Sequence, residues 1–220
     1  MSVQAVIDAR TERIEHVVEE CARIVFSGGT IVFPNDASYG LACDPHRSEA
    51  IDRIYHAKGH PDHKPLTLYV ATPAEFLEYA RGNSIAPLAA KRLLPGPVTL
   101  VVRKPGFISE ELTAGMPTLG LRVPDDAIAH AILERCGPLA VSRANLNGRP
   151  QYRGNGNLEN LATCDLLIEG GPPLYELESS IVDLTVSPPR LLRAGAMSFE
   201  RLSELLGPLE RHTIKVRTQS

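Results

Sequence analysis

The fold is decided by one stretch near the N-terminus, Gly28-Gly29-Thr30-Ile31-Val32-Phe33-Pro34-Asn35-Asp36-Ala37-Ser38-Tyr39-Gly40-Leu41. Ahead of it, apolar residues recur at helical spacing from Arg10 to Phe26, and Gly28-Gly29 is expected to end that helix. Thr30 to Phe33 predicts a short buried strand, because apolar residues follow one another there until a proline ends the run. The loop Asn35 to Gly40 therefore opens from the end of a strand.

Outward from this stretch, predicted strands and helices alternate along the chain. Helical spacing predicts helices at Arg47 to Lys58, Pro73 to Arg81, Ile85 to Leu94, Asp126 to Cys136 and Phe199 to Leu206. Apolar runs predict strands at Leu41 to Cys43, Leu66 to Val70, Val98 to Val102, Leu119 to Val123, Leu139 to Ser142, Leu166 to Ile168, Ser180 to Leu184 and Arg190 to Arg193. These elements indicate the α/β class. Periodicity alone leaves open whether the sheet is doubly wound and parallel or mixed and twisted.

The composition is that of an ordinary globular protein. The chain has 220 residues, of which 43% are hydrophobic and 22% charged, with a formal net charge of −3. This length is at the upper end of what one domain holds, so we expect a single domain over residues 1–210 and a polar tail over residues 211–220. The slightly acidic balance gives no overall attraction to nucleic acid, and any RNA contact would have to be local.

The N-terminus and the cysteines indicate where in the cell the protein is expected. The chain starts without the basic and apolar regions of a signal peptide, and its longest apolar runs fall far short of the roughly 20 residues of a membrane span. Four cysteines lie far apart with no Cys-x-x-Cys pair, which favours reduced thiols over disulfides or a zinc site. We therefore expect a cytoplasmic protein with no membrane segment and no structural metal.

The first candidate site is the segment from Lys58 to Leu66, a short loop with two lysines and the histidines His60 and His63 that is held rigid by two prolines. Ammonium groups in a rigid loop suit a phosphate or carboxylate, because little entropy is lost when they engage the anion. A solvated basic turn is the alternative that the sequence leaves open. A histidine cluster for a metal is disfavoured, since glycine and proline interrupt the helical spacing it would need.

Two further segments carry polar side chains at predicted strand ends, where α/β proteins place their sites. Ser142-Arg143-Ala144-Asn145 offers a guanidinium for a bidentate contact with phosphate and an amide that both donates and accepts. Ser179-Ser180 and Arg193 could together hold a polyphosphate. An Asn-Gly turn and surface arginines are the alternatives. The glycine-rich signatures of the common nucleotide-binding folds are missing, and no nucleophile with its own base can be recognised from the spacing.

Taken together and in this order, these segments resemble the threonylcarbamoyl-AMP synthase family, also called the YrdC/YciO-like family. The first stretch corresponds to the family pattern Gly-Gly-x-x-x-x-Pro-Thr-Glu-Thr-x-Tyr-Gly-Leu. The other matches are Lys58-Gly59-His60-Pro61 with Pro65-Leu66, Pro95-Gly96-Pro97-Val98-Thr99, Arg122-Val123-Pro124, Arg143-Ala144-Asn145, Glu178-Ser179-Ser180-Ile181-Val182-Asp183 and Leu192-Arg193-Ala194-Gly195. These motifs span nearly the whole chain and are specific in combination.

The resemblance implies an α/β fold with a single-domain, twisted, mixed sheet and flanking helices around a concave, positively charged site. It implies synthesis of threonylcarbamoyl-AMP from ATP, L-threonine and bicarbonate with Mg²⁺. The product would pass to a partner transferase that modifies adenosine in tRNA, and direct tRNA binding is left open. The implied catalytic residues are Lys58, His60 and Arg143. The implied substrate-binding residues are Asn35, Tyr39, Lys64, Thr99, Arg122 and Ser142, and the implied ATP-binding residues are Asn145, Ser179, Ser180 and Arg193.

The chain departs from the family pattern at the polar centre of these motifs. Asn35 stands for a threonine, His60 for the loop arginine, and Arg143 for the serine before Ala-Asn. A neutral histidine would hold phosphate less well than arginine, and we hypothesise that Arg143 restores that cation from the opposite wall. Two alternatives follow: a paralogue that uses another carbamoyl acceptor or donor, and a non-catalytic module that binds nucleotide or RNA.

Overall fold

A computed structural model describes residues 3–59 and 64–211. In this part of the chain the helices are α1 (Ile14–Phe26), α2 (Ser48–Lys58), α3 (Pro73–Tyr79), α4 (Ala86–Leu93), α5 (Glu110–Thr113), α6 (Ala127–Cys136) and α7 (Phe199–Leu206). The strands are β1 (Val3–Asp8), β2 (Ile31–Pro34), β3 (Tyr39–Cys43), β4 (Thr67–Tyr69), β5 (Val98–Arg103), β6 (Thr118–Arg122), β7 (Leu139–Arg143), β8 (Cys164–Glu169), β9 (Ser180–Asp183), β10 (Arg190–Arg193) and β11 (Glu210–Arg211).

The strands form one mixed sheet in the order β1-β8-β2-β3-β7-β4-β6-β5-β9-β10-β11. The sheet contains parallel pairs such as β4 with β6 and antiparallel pairs such as β3 with β7. The predicted twisted, mixed α/β sheet is thereby confirmed, and the doubly wound parallel alternative is excluded. Strand β7 runs antiparallel to both β3 and β4, so it joins the two halves of the sheet.

Apolar side chains on β2 divide between two cores because successive residues of a strand point to opposite faces. Ile31 and Phe33 belong to one core together with the α1 residues Val17 and Cys21. Val32, between them in sequence, belongs to the larger core, which includes residues of α2, α3, α4 and α7. The sheet is therefore packed against helices on both faces.

Local signals fix several helix ends. The side chains of Thr72, Asp126 and Ser198 accept hydrogen bonds from backbone N–H groups in the first turns of α3, α6 and α7, respectively. Gly59 ends α2 with a positive φ of 63°, which a glycine adopts without strain. This turn directs the chain from Lys58 into the basic loop, most of which lies outside the described residues.

Some elements differ from the sequence-based expectation. The helix expected from Arg10 begins at Ile14, because Asp8 draws the chain into a turn by accepting a hydrogen bond from the Arg10 backbone N–H at 3.0 Å. Strand β1 was not predicted, since it lies at the sheet edge and is largely exposed, without a clear alternation of apolar residues. Arg211 lies in β11, and the rest of the predicted tail lies outside the described residues.

Other expectations concern thiols and membranes. The cysteines are free, and Cys21, Cys43 and Cys164 are buried. Burial raises the pKa of the Cys43 thiol to about 12, which keeps it protonated. Within the described ranges, no helix is long and apolar enough to cross a membrane.

Tyr39 connects the start of β3 to the loop that follows β8. Its buried hydroxyl donates to the Gly171 carbonyl at 2.8 Å and accepts from the Gly170 N–H at 3.0 Å. The ring also packs edge-on against Tyr152, with 4.9 Å between ring centroids. The hydroxyl therefore satisfies two backbone groups that would otherwise lack a partner in a partly buried loop.

Tyr39→Phe should lower the free energy of unfolding by about 1–3 kcal/mol, because it leaves both backbone groups without their partner. Chemical denaturation measures this change. Tyr79→Phe is the control, since the Tyr79 hydroxyl makes no hydrogen bond within residues 3–59 and 64–211. Equal effects of the two changes would contradict the assigned role of Tyr39.

Candidate functional site

The candidate site is a central cavity of about 320 Å³ that lies across the middle of the sheet. Its lining residues are Ser38, Tyr55, Lys58, Lys64, Pro65, Leu66, Thr67, Tyr69, Thr99, Arg122, Val141, Ser142, Arg143, Asn147, Glu178, Ser179, Ile181 and Arg193. Several come in pairs two residues apart, such as Thr67 with Tyr69 and Ser179 with Ile181. This spacing places both members of a pair on the same face of the sheet.

Most of the residues predicted for the site converge on the central cavity. Those that line it are Lys58, Lys64, Thr99, Arg122, Ser142, Arg143, Ser179 and Arg193. They come from sequence positions far apart, and all but the two lysines lie on or beside the strands β5, β6, β7, β9 and β10. Cationic and hydroxyl side chains therefore share one concave surface, which has the chemistry needed to bind a polyphosphate.

Four predicted residues are buried outside this lining. Tyr39 holds the loop after β8, as described above. The Asn35 side-chain oxygen accepts from the backbone N–H groups of Ala37 and Ser38, at 3.1 and 3.0 Å, and so shapes the loop after β2. His60, the remaining predicted residue, lies outside the described residues.

Asn145 and Ser180 are the other two. Asn145 donates through its side-chain amide to the Leu146 and Arg149 carbonyls at 2.9 and 2.6 Å, which closes the turn after β7. Ser180 donates to the Met197 carbonyl at 2.6 Å and accepts from the backbone N–H groups of Gly195 and Met197. Both side chains therefore contact backbone, and they position segments that carry cavity residues.

Lys58 is the most desolvated ammonium group of the site. Its Nζ donates to the Arg143 carbonyl at 2.7 Å and also to the Asn145 carbonyl. Burial lowers the pKa of Lys58 to about 8, and the nearby positive charges of Arg143 and Lys64 act in the same direction. Lys58 is thus positively charged near neutral pH and loses this charge as the pH rises through about 8.

Arg122 lies beneath the cavity, only 2% exposed, and forms an ion pair with the buried Asp36. Its second terminal nitrogen donates to the Tyr69 hydroxyl at 3.0 Å, and the guanidinium carbon lies 5.4 Å from the centre of the Tyr69 ring. Burial raises the pKa of the Asp36 carboxyl, although the positive charge of Arg122 opposes this shift. The pair fixes the guanidinium in one orientation at the cavity wall.

On the opposite side, Glu178 pairs with both Arg143 and Arg193. Arg193 also donates to the Ser179 carbonyl, with its Nη2 at 2.8 Å, and the Ser179 hydroxyl lies 3.0 Å from the Thr99 hydroxyl. Burial lowers the pKa of Arg193 below its ordinary value, and the charge of Glu178 counteracts this. These contacts place two guanidinium groups and two hydroxyl groups around one region of the cavity.

Sequence reasoning missed several residues of the site. Glu178 directly precedes the selected Ser179-Ser180, so its place in that motif was an available signal. Asp36 and Ser38 belong to the first motif but were not selected. Tyr69 carries no sequence signal, because a tyrosine at the end of an apolar run is equally typical of a core strand. In the described part of the chain, no group of histidine, cysteine, aspartate and glutamate residues could hold a metal ion.

The sequence and fold of this chain are similar to those of several known proteins. The family model Sua5/YciO/YrdC, described as telomere recombination, matches residues 23–195. A threonylcarbamoyl-AMP synthase from Pyrococcus abyssi is 30% identical over 94% of this chain and 62% of its own length. The chain spans about 60% of the length of the first curated relatives that it matches.

Two solved structures are also similar. The crystal structure of P. abyssi Sua5 complexed with L-threonine has a TM-score of 0.87 and 30% identity, and the match covers 96% of this chain and 63% of that one. E. coli YciO has a TM-score of 0.76 and 27% identity, and the match covers 88% of this chain and 96% of that one. The fold of this chain is thus found in Sua5, whose structure contains L-threonine, and in YciO, a protein of similar length.

The lowered pKa of Lys58 predicts that the affinity for inorganic triphosphate falls as the pH rises from 7 to 9. The sign follows because the ammonium is charged below its pKa of about 8 and neutral above it, and only the charged form attracts the anion. Calorimetric titration across this range measures the change. In Lys58→Arg the affinity should vary less with pH, because arginine stays charged over this range. The control Lys91→Arg, at an exposed position, should show the same pH dependence as the unchanged protein. A wild-type profile in Lys58→Arg would contradict the role of Lys58.

Proposed function

The chain belongs to the Sua5/YciO/YrdC family, and on that premise we propose that it is an ATP-dependent nucleotidyltransferase that makes threonylcarbamoyl-AMP from L-threonine, bicarbonate and ATP. The observation that carries this proposal is the convergence of Lys58, Arg143 and Arg193 with Ser179 on one cavity. Such a surface neutralises a triphosphate and orients it by charge-assisted hydrogen bonds.

The reaction needs two bond-forming steps. The amine of L-threonine and bicarbonate form a carbamate with loss of water. A carbamate oxygen then bonds to the α-phosphorus of ATP as the bond from that phosphorus to the leaving pyrophosphate breaks. The protein has little covalent chemistry to perform, so its contribution is to hold the carbamate and the triphosphate in line and to balance their charge.

The cavity residues divide into two proposed groups. Lys58, Arg143 and Arg193 bind the phosphates, with His60 as a further proposed catalytic residue and Ser179 as a hydroxyl donor. Lys64, Thr99, Arg122 and Ser142 bind the amino acid and its carbamate. Because Asn35, Tyr39, Asn145 and Ser180 contact backbone instead of the cavity, we propose that they act by positioning these groups. Mg²⁺ would accompany ATP on its phosphate oxygens, the binding mode that this ion favours with nucleotides.

The product is proposed to pass to a partner transferase that forms threonylcarbamoyladenosine in tRNA, and the cytoplasm is the proposed location. Direct tRNA binding by this chain is a separate question that a filter-binding titration over salt concentration answers. Contacts with phosphates weaken steeply as salt rises, so a flat salt response would argue against a tRNA site.

A second candidate is a paralogue that uses another carbamoyl acceptor or donor. It is favoured by the changed residues Asn35, His60 and Arg143 and by the match to nearly the full length of E. coli YciO. A screen of amines, with bicarbonate or carbamoyl phosphate as donor, distinguishes it from the first candidate. Nucleotide binding without any turnover in that screen would leave the non-catalytic binding module.

Purified protein with ATP and Mg²⁺ should release pyrophosphate only when both L-threonine and bicarbonate are present. A coupled phosphate assay measures the release, and omission of either substrate is the internal control. Release that ignores L-threonine would contradict threonine as the acceptor. Complete absence of release with both substrates would contradict the synthase proposal.

Arg143→Ala should weaken ATP binding by about 10- to 100-fold, the range expected for loss of a hydrogen-bonded charge on phosphate. The matched control is Arg81→Ala, because Arg81 is exposed and, within residues 3–59 and 64–211, its side chain pairs only with Glu78. Isothermal titration with a non-hydrolysable ATP analogue measures both. Equal effects of the two changes would show that Arg143 does not replace the missing cation.

A further inference from the structure

Glu178 joins two arginines of the central cavity that come from strands far apart in the sheet. Arg143 ends β7, near the middle of the sheet, whereas Arg193 ends β10, next to the sheet edge. Both guanidinium groups pair with the Glu178 carboxylate, one on each oxygen, and Gln151 donates to Oε1 at 2.6 Å. The side chain of Glu178 is 25% exposed, so this network faces the cavity but is partly shielded from water.

The backbone of Glu178 is fixed by contacts with residues 195 and 196. The Glu178 carbonyl accepts from the Ala196 N–H at 2.7 Å. The chain at Gly195 comes so close that an added Cβ atom would lie 2.2 Å from the same carbonyl oxygen. Ser180 fixes this contact further by accepting from the Gly195 N–H at 3.1 Å. The Arg143 guanidinium contacts Glu178 alone among the described residues, so it is able to change partner. Arg193 is held at the Ser179 carbonyl by Nε and Nη2, which leaves its Nη1 as the group that can exchange Glu178 for another anion.

The charges that line the cavity indicate which ligand could replace Glu178 as the partner of these arginines. Glu178 is the one carboxylate that lines the cavity among the described residues. A guanidinium presents the same pair of N–H groups to a carboxylate as to a phosphate. The contacts that Arg143 and Arg193 now make with Glu178 are therefore the contacts that a bound phosphate would need from them.

We propose that Glu178 is an internal counter-ion that occupies the place of a phosphate group and exchanges with it when a polyphosphate binds. The proposal rests on the proposed function, since it assumes that a polyphosphate enters this cavity. When ATP binds, the arginines turn from Glu178 to phosphate oxygens. When pyrophosphate has formed, Glu178 competes for the same N–H groups and favours release of that product. Glu178 is thus a positioning residue that weakens anion binding.

Glu178→Gln tests this directly, because it keeps the size of the side chain and removes its charge. Inorganic pyrophosphate is the probe, and calorimetric titration measures its affinity without any need for turnover. Glu178→Gln should bind pyrophosphate about tenfold more tightly than the unchanged protein, with a steeper loss of affinity as salt increases. The matched control is Glu176→Gln, since Glu176 is exposed and its side chain makes no contact within the described residues. It should leave the affinity within twofold.

The same change in an Arg143→Ala background supplies a second test. With one of the two arginines removed, the gain from Glu178→Gln should shrink to about threefold or less, because fewer donors are released. A thermal melt of each variant checks that it folds. A full tenfold gain without Arg143 would contradict exchange through that residue.

Two other outcomes would contradict the counter-ion role of Glu178. Unchanged or weaker pyrophosphate binding in Glu178→Gln means that the acid does not compete with phosphate. If the unchanged protein still makes threonylcarbamoyl-AMP in that case, only the role of Glu178 fails. If neither protein binds pyrophosphate and neither releases it from ATP, the proposed function fails together with the counter-ion.

Discussion

The buried ion pair between Asp36 and Arg122 is the interaction on which the site depends. The Asp36 side chain is fully buried and that of Arg122 is 2% exposed, so neither charge would be tolerated alone. Losing one partner of such a pair typically costs roughly 3–5 kcal/mol. The Asp36 carbonyl also accepts from the Tyr175 N–H at 2.9 Å, which ties down the segment that leads to Glu178. Asp36 therefore connects the loop after β2 to the end of β6 and to the segment that leads from Tyr175 to Glu178.

The same principle of paired charge extends across the cavity. Two backbone carbonyls accept hydrogen bonds from Lys58, Asp36 balances Arg122, and Glu178 balances Arg143 and Arg193. Each of these cations therefore already has an acceptor in the empty cavity. The arrangement also limits the net positive charge of an empty cavity. An incoming polyphosphate must replace existing contacts, and its affinity depends on which of them it can exchange.

Much of the fold could be predicted from the sequence, because long periodic segments leave little choice. The helix expected at Phe199 to Leu206 has those bounds in the structure, and the strand expected at Arg190 to Arg193 does too. The edge strand Val3–Asp8 could not be predicted in this way, since its stability comes from pairing with the distant β8. Pairing partners are a tertiary property that a local apolar pattern does not reveal.

The site was harder to predict because successive side chains of a strand point to opposite faces, so neighbouring residues of one motif have different surroundings. Ser179 lines the cavity, whereas Ser180 points away and holds residues 195–197. Likewise, Ser38 lines the cavity and Tyr39 packs behind it. Motif matches bring such neighbours together as a group, and only the register of the sheet separates those that face the cavity from those that support it.

Arg143 shows why departures from a family pattern have to be considered together with their spatial neighbours. Considered alone, an arginine in place of serine adds a positive charge to the cavity. In the structure that charge meets Glu178, which already balances Arg193, so the substitution creates a shared pair instead of a free cation. A bound phosphate must therefore compete with Glu178 for Arg143. Residues 143, 178 and 193 form one electrostatic unit, although their sequence positions are far apart.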